Sequence, residues 1–248
     1  MKTQERVVLY SRGEAWPEVS VGIPLYNYEG YVANALDSVA AQTASDIGLV
    51  VLDDGSVDAS VEVTRQWLEA HPERFSRAVL AKNVANAGLS VARNTLIDIT
   101  KSPFIFFLDA DNLIMPRCLN RLATALRQSK AAFAYSILAI FDGRSGLGGT
   151  NCFSRQRLAH GNYIDAMALL RRDALVRFGG YADLEYGWED YDLWLRMCAA
   201  GAYGIQVPEI LGKYRVHAAS MTRMTTSHPA YVGKLMEKVR ERHPWVEI

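Results

Sequence analysis

Cysteine is scarce in this chain of 248 residues, and what there is lies scattered. Cys118, Cys152 and Cys198 are odd in number, far apart and outside any CxxC spacing. That pattern excludes a disulfide framework or a cysteine zinc site and reads as free thiols in a reducing compartment. Net charge is also lacking, since 27 Lys and Arg offset 27 Asp and Glu. A bulk affinity for nucleic acid or an acidic membrane is therefore excluded, while a local basic patch and peripheral membrane contact stay open. No apolar run reaches the roughly 18 to 20 residues that span a bilayer, so no transmembrane segment is expected. Residues 1–10 carry Glu5 and Arg6 beside a short apolar stretch, unlike a secretory signal. A cytoplasmic enzyme is the expectation, or a domain of a longer membrane-associated chain.

What is present is a normal globular balance, half hydrophobic and 22% charged, in strand–helix alternation. Buried strands are predicted at 19–24, stopped by Pro24, and at 47–52, 78–81, 103–108, 132–141 and 210–216. Helices are predicted at 57–70, 89–99, 116–128, 188–200 and 228–242, with Val32, Leu36, Val39 and Ala40 marking one more helical face. Segment 103–108 (PFIFFL) is the most apolar and should be central in the sheet. The Gly-rich stretch 142–150 reads as a mobile loop. Repeated units of this kind imply an α/β fold whose sheet is mostly parallel, with helices on both faces. Ligands of such sheets gather at the carboxyl ends of the strands, where the acidic turns of this chain fall.

Four constellations carry candidate chemistry. An apolar strand ends in Asp109-Ala110-Asp111-Asn112, and alternate carboxylates at a sheet edge suit a divalent cation and nearby sugar or phosphate oxygens. Capping of a helix near Met115-Pro116 explains the same residues. A second strand runs into Asp53-Asp54-Gly55-Ser56, where a carboxylate can accept from a base N–H or a ribose hydroxyl, or simply make a turn. Glu189 and Asp190 open a predicted helix and are flanked by Tyr186 and Trp188; the helix dipole alone accounts for acids there and should lower the Asp190 pKa. Asp192 with Arg196 reads as a surface or structural pair. His217 follows a strand and is either a structural imidazole or a ligand better suited to Mn²⁺ than Mg²⁺.

Each constellation is weak alone; their order is not. VSVGIPLYNYEGYVANALDSVAAQT, VVLDDGSVDAS, NAGLSVARNTLIDITKSPFIFFLDADN, GGYADLEYGWEDYDLWLRM and YRVHAASMT together resemble the family 2 glycosyltransferases, over about 19–222. The resemblance implies the A-type glycosyltransferase fold: a nucleotide-binding half at about 19–112 and an acceptor-binding half at 113–222. It leaves 1–18 as an N-terminal extension and 223–248 as a C-terminal helical tail. It implies inverting transfer of a hexose from a nucleoside-diphosphate sugar, UDP by family frequency, to a saccharide or glycolipid hydroxyl, as in cell-surface polysaccharide or glycoconjugate synthesis. Mn²⁺ or Mg²⁺ is the implied cofactor.

By that resemblance Pro24, Tyr26 and Asn27 lie along the nucleotide, Asp54 recognises the base, and Asn86 and Arg93 line the nucleotide pocket. Asp109 and Asp111 form the Asp-x-Asp pair; Asp111 is the implied direct metal ligand, His217 completes the site, and Asp109 sits nearer the ribose and sugar. Asp190 is the implied catalytic base with Glu189 beside it. Leu25 and Asn112 depart from the family pattern, and 142–160 matches no motif of it. Other readings are poorer. A nucleotidyltransferase needs a basic Gly-rich loop after the first strand, where this chain has Pro24-Leu25-Tyr26-Asn27. A dinucleotide oxidoreductase needs G-x-G-x-x-G there, and a glycosidase needs no nucleotide pocket. A non-catalytic sugar- or nucleotide-binding module of the same fold is the remaining alternative.

Overall fold

The computed structural model describes residues 1–184, 187–217 and 229–248. The chain opens with β1 (Arg6–Arg12) and then alternates β2 (Val19–Leu25), α1 (Val32–Ala40), β3 (Ile47–Asp53), α2 (Ser60–Ala70), β4 (Arg77–Asn83), α3 (Leu89–Ile99) and β5 (Phe104–Phe107). There follow β6 (Leu113–Ile114), α4 (Cys118–Arg127), β7 (Phe133–Asp142), β8 (Gly146–Gly148), α5 (Arg155–Ala159), β9 (Ala168–Arg171) and α6 (Arg172–Arg177). α7 (Glu189–Ala199), β10 (Gly204–Val216) and α8 (Pro229–Arg242) complete it.

The sheet runs β1-β4-β3-β2-β5-β9-β7-β10-β6, with β8 on β7. β2, β3, β4 and β5 are mutually parallel, as are β7 and β10. β9 lies antiparallel between β5 and β7 and joins the two halves. The PFIFFL strand is central, as its composition predicts. Its residues alternate between two cores: Phe104 and Phe106 belong to the one that includes residues of α1, α2 and α4, while Ile105 and Phe107 belong to the one that includes residues of α3 and α7. A strand buried on both faces cannot spare polar positions, which explains the unbroken apolar run.

Pro24 does not stop β2. The strand continues to Leu25, with Pro24 opposite Leu52 of β3. On its other side β2 has already lost its partner, since pairing with β5 ends at Gly22 opposite Phe107 and Leu108 N–H donates to the Gly22 carbonyl. A residue without an N–H is tolerated there.

Three other expectations change. Residues 1–18 are no mere extension, because β1 pairs antiparallel with β4 and forms the sheet edge. Within 142–150, Gly146–Gly148 is a strand paired with β7 rather than a free loop. β10 starts at Gly204, earlier than the predicted 210, and runs beside β7 with register shifts on either side of Ile210. β9 and α6 carry no clear period in sequence, being short runs whose type is set by their neighbours.

The loops after β2 and β3 are laced together. Asn27 N–H donates to Ser56 Oγ at 2.9 Å, Val57 N–H donates to Asn27 Oδ1 at 2.9 Å, and Asn27 itself has φ 55°. Gly55 (φ 83°) lets the β3 loop lie against the β4–α3 loop, for a Cβ there would stand 2.8 Å from Asn86 N.

Candidate active site

A cavity of about 1190 Å³ opens at the carboxyl ends of β2, β3 and β5 and extends under β7 and α7. Pro24, Tyr26, Asn27, Asp54, Asn86, Arg93, Asp109, Asp111, Glu189 and Asp190, all singled out in sequence, line it. His217 reaches it through Asp111.

The two acids after β3 divide their work. Asp53 Oδ2 accepts from Gly55 and Ser56 N–H, which is ordinary turn chemistry. Asp54 is buried, faces the cavity, and accepts from Asn83 Nδ2 at 2.7 Å and from the Ala87 and Gly88 N–H groups that precede α3. Burial nevertheless raises its pKa, those bonds opposing it only in part.

Arg93, on α3, is a buried part of the cavity wall. Its guanidinium donates to Asp109 at 2.7 Å and to Glu189 in a second, shorter contact, linking the Asp-x-Asp strand end to the start of α7. Burial opposes its charge, but Asp109 and Glu189 outweigh burial and keep it protonated. Asp109 is thus engaged by Arg93. Among the described residues, no three His, Cys, Asp or Glu side chains gather into a metal-binding cluster.

Asp111 and His217 do meet, Oδ2 to Nε2, at 2.9 Å. His217 is held by Tyr31 at 5.0 Å between ring centroids and by Tyr28 edge-on at 6.0 Å. Burial, then the Asp111 and Asp109 charges, raises the Tyr28 pKa. Arg215 fixes the backbone from β10: its Nε donates to the Asp111 carbonyl and its N–H to Asn112 Oδ1, both at 2.8 Å. Asn112 is therefore a buried brace between strands. Burial raises the Asp111 pKa, with Asp109 adding to the effect.

Asp190 stands in the first turn of α7, half-buried, next to Glu189 and after Trp188, which adopts a left-handed φ of 61°. The helix dipole does not win. Burial and then the Glu189 charge push the Asp190 pKa up to about 8, against Arg93, which lowers it. Asp192 proves structural rather than a surface pair: it is wholly buried and accepts from Arg196, Arg242 and His243. Tyr186 and the 218–222 part of the last motif lie outside the described residues.

Sequence reasoning passed over Asn162, Asp165 and Tyr28. Asn162 and Asp165 lie in the turn before β9 and line the cavity; Asn162 bonds Asp190, and burial, then Asp109, pushes the Asp165 pKa up to about 6. Neither sits in a recognisable motif, and only the fold brings them to α7. Tyr28 is inside a quoted segment, but nothing local marks it as facing Asp111.

The model of Glycosyl transferase family 2 matches residues 20–182. Over 130 residues, 52% of this chain, it is 32% identical to "Glycosyltransferase GlyA" of Streptococcus pneumoniae, and that match spans 18% of GlyA. Among solved structures, S. aureus TarS 1–349 in complex with UDP-GlcNAc aligns with TM-score 0.73 and 17% identity, covering 91% of this chain and 66% of that one. The mannosyltransferase PcManGT from Pyrobaculum calidifontis, in complex with GDP-Man and Mn²⁺, aligns with TM-score 0.67 and 19% identity, over 87% and 61%. At such identities the likeness shows the fold, an A-type glycosyltransferase fold. No helix among the described residues is long and apolar enough to cross a membrane.

Proposed function

The chain belongs to glycosyl transferase family 2, an enzyme class, and from that premise we propose that it transfers a hexose from a nucleoside-diphosphate sugar, with inversion, to a hydroxyl of a saccharide or glycolipid. The observation that carries the reading is convergence. Asp54, the Asp109–Asp111 strand end and Asp190 arrive from three parts of the sequence at one cavity. Asp54 and Asn86 bound the nucleoside end, and Asp54 accepts from the base or ribose. A uridine donor is favoured by TarS, solved with UDP-GlcNAc, although PcManGT holds GDP-Man. Polysaccharide or glycoconjugate synthesis is the proposed context.

The donor set fits a divalent cation. Asp54, Asp109, Asp111, Asp165, Glu189 and Asp190 line the cavity against Arg93 and Arg144, and a diphosphate would add more negative charge. Asp111 with His217 would hold the cation, the imidazole favouring Mn²⁺ over Mg²⁺. A cation held there would supply positive charge against the charge growing on the leaving diphosphate. Asp109, fixed by Arg93, is free through its second oxygen to accept from a sugar or ribose hydroxyl. Asp190 receives the proton of the attacking acceptor hydroxyl, a role worth roughly 10²–10⁴-fold.

Hydrolysis of UDP-GlcNAc, UDP-glucose and GDP-mannose with Mn²⁺ or Mg²⁺ tests the reading. At least one should be turned over, and Asp190→Asn should abolish turnover while the mutant still binds UDP. No turnover and no nucleotide binding would favour a non-catalytic module. Parallel loss of turnover and binding in Asp190→Asn would make Asp190 structural.

A further inference from the structure

Asn162 has no part in the reaction as proposed, yet it faces Asp190 across the cavity. We propose that Asn162 is a positioning residue, orienting the Asp190 carboxylate that receives the acceptor's proton; this rests on the reading of Asp190 as the base. Its Nδ2 donates to Asp190 Oδ1 at 3.2 Å and Oδ2 at 3.3 Å, so one amide spans both oxygens and fixes the carboxylate plane. The amide's own orientation is determined, because Asn162 Oδ1 accepts from Ile164 N–H at 3.3 Å and leaves Nδ2 for Asp190.

The segment carrying Asn162 is tied to the helix carrying Asp190. Trp194 Nε1, on α7, donates to the Ile164 carbonyl at 3.0 Å. Tyr163 secures the other side: its hydroxyl accepts from Ser154 N–H at 2.8 Å and donates to the Cys152 carbonyl at 3.2 Å. Two contacts, Asn162–Asp190 and Ile164–Trp194, therefore join the same two elements, and packing sets the amide-to-carboxylate distance.

The other groups facing Asp190 cannot do this. Glu189 on its own helix and Asp165 before β9 are like charges that oppose its anion. Arg93 from α3 favours the anion, but its hydrogen bonds go to Asp109 and Glu189. Tyr181 is buried nearby with an unpartnered hydroxyl. The Tyr191 N–H donates to Oδ1 alone, at 2.6 Å. Asn162 supplies the side-chain donor shared by both oxygens, steadying the charged form as well as its direction.

Carboxyl-carbon NMR titration of Asp190, its resonance assigned by its loss in Asp190→Asn, decides the matter in wild type, Asn162→Ala and Asn162→Asp without nucleotide or metal. The Asp190 midpoint should rise by roughly one pH unit in Asn162→Ala, the scale of one charge-assisted hydrogen bond, and further in Asn162→Asp, which adds a like charge. With UDP-GlcNAc and Mn²⁺, Asn162→Ala should lower kcat about tenfold below pH 8, recover toward wild type at higher pH, and leave the donor KM unchanged. An unmoved midpoint in folded Asn162→Ala, or the same midpoint in both variants, overturns the proposal. Failure of the underlying reading is seen separately, as turnover retained by Asp190→Asn, and the titration judges Asn162 whichever way that falls.

Discussion

Between about pH 4, where an aspartate in the unfolded chain ionises, and about pH 8, where Asp190 does, the folded protein holds a proton that the unfolded chain has released. A folded pKa raised in this way contributes stability below pH 4, and that contribution is lost as pH rises through 8. Without nucleotide or metal, Asp190→Asn should therefore melt roughly 2–4 °C above wild type at pH 8.5, about 1 kcal/mol, and show no gain at pH 4. Thermal melts at the two pH values check this, and an equal gain at both would remove ionisation as the cause. Activity should run the opposite way, kcat rising with pH through about 8 as the base loses its proton. Arg93 makes the complementary case. It is buried between Asp109 and Glu189, so Arg93→Ala leaves two carboxylates without their cation and should cost about 3–5 kcal/mol in urea denaturation. A cost below 1 kcal/mol would mean that the pair relaxes into water at little expense.

At the scale of elements, α7 is held at both ends of its function. Its first turn faces the cavity, while Asp192 behind it binds Arg196 of the same helix, Arg242 at the end of α8 and His243 just after. Burial opposes the Asp192 charge, but the bonds from His243, Arg242 and Arg196 hold its pKa below the ordinary carboxylate range. This lowered pKa contributes stability above about pH 4 that is lost only as pH falls through the folded value. Asp192→Ala should release α8: amide exchange across 229–242 should quicken markedly while the strand core stays protected. Uniform acceleration everywhere would place Asp192 in the global core instead of in a local latch. The sequence shows Asp192 and Arg196 as neighbours on one helix; Arg242 and His243 lie some fifty residues away, and no local pattern links them.

For the whole molecule, binding and stability are coupled through the donor. With Mn²⁺ present, UDP at a hundred times its Kd should stabilise the wild type by about 2.7 kcal/mol. Asp111→Ala should lose the Mn²⁺-dependent part of that gain and keep the part given by UDP alone. Equal stabilisation of mutant and wild type in Mn²⁺ would reject Asp111 as a metal ligand.

The sequence by itself determined the α/β alternation, the buried centre of the sheet and the order of the acidic turns. Those are written in local signals: apolar runs, 3.6-residue periodicity, and carboxylates placed just after strands. Asp109-Ala110-Asp111 and Glu189-Asp190 could be singled out because their neighbours in the chain are also their neighbours in space. Only the tertiary structure decided that Arg93 serves both of them and that Asn162 and Asp165 belong beside Asp190. It also decided that burial and Glu189 override the helix dipole at Asp190, because desolvation depends on what packs around a group and not on its place in a helix. β1 and β9 make the same point for the fold, since a short strand is specified by the edge that receives it.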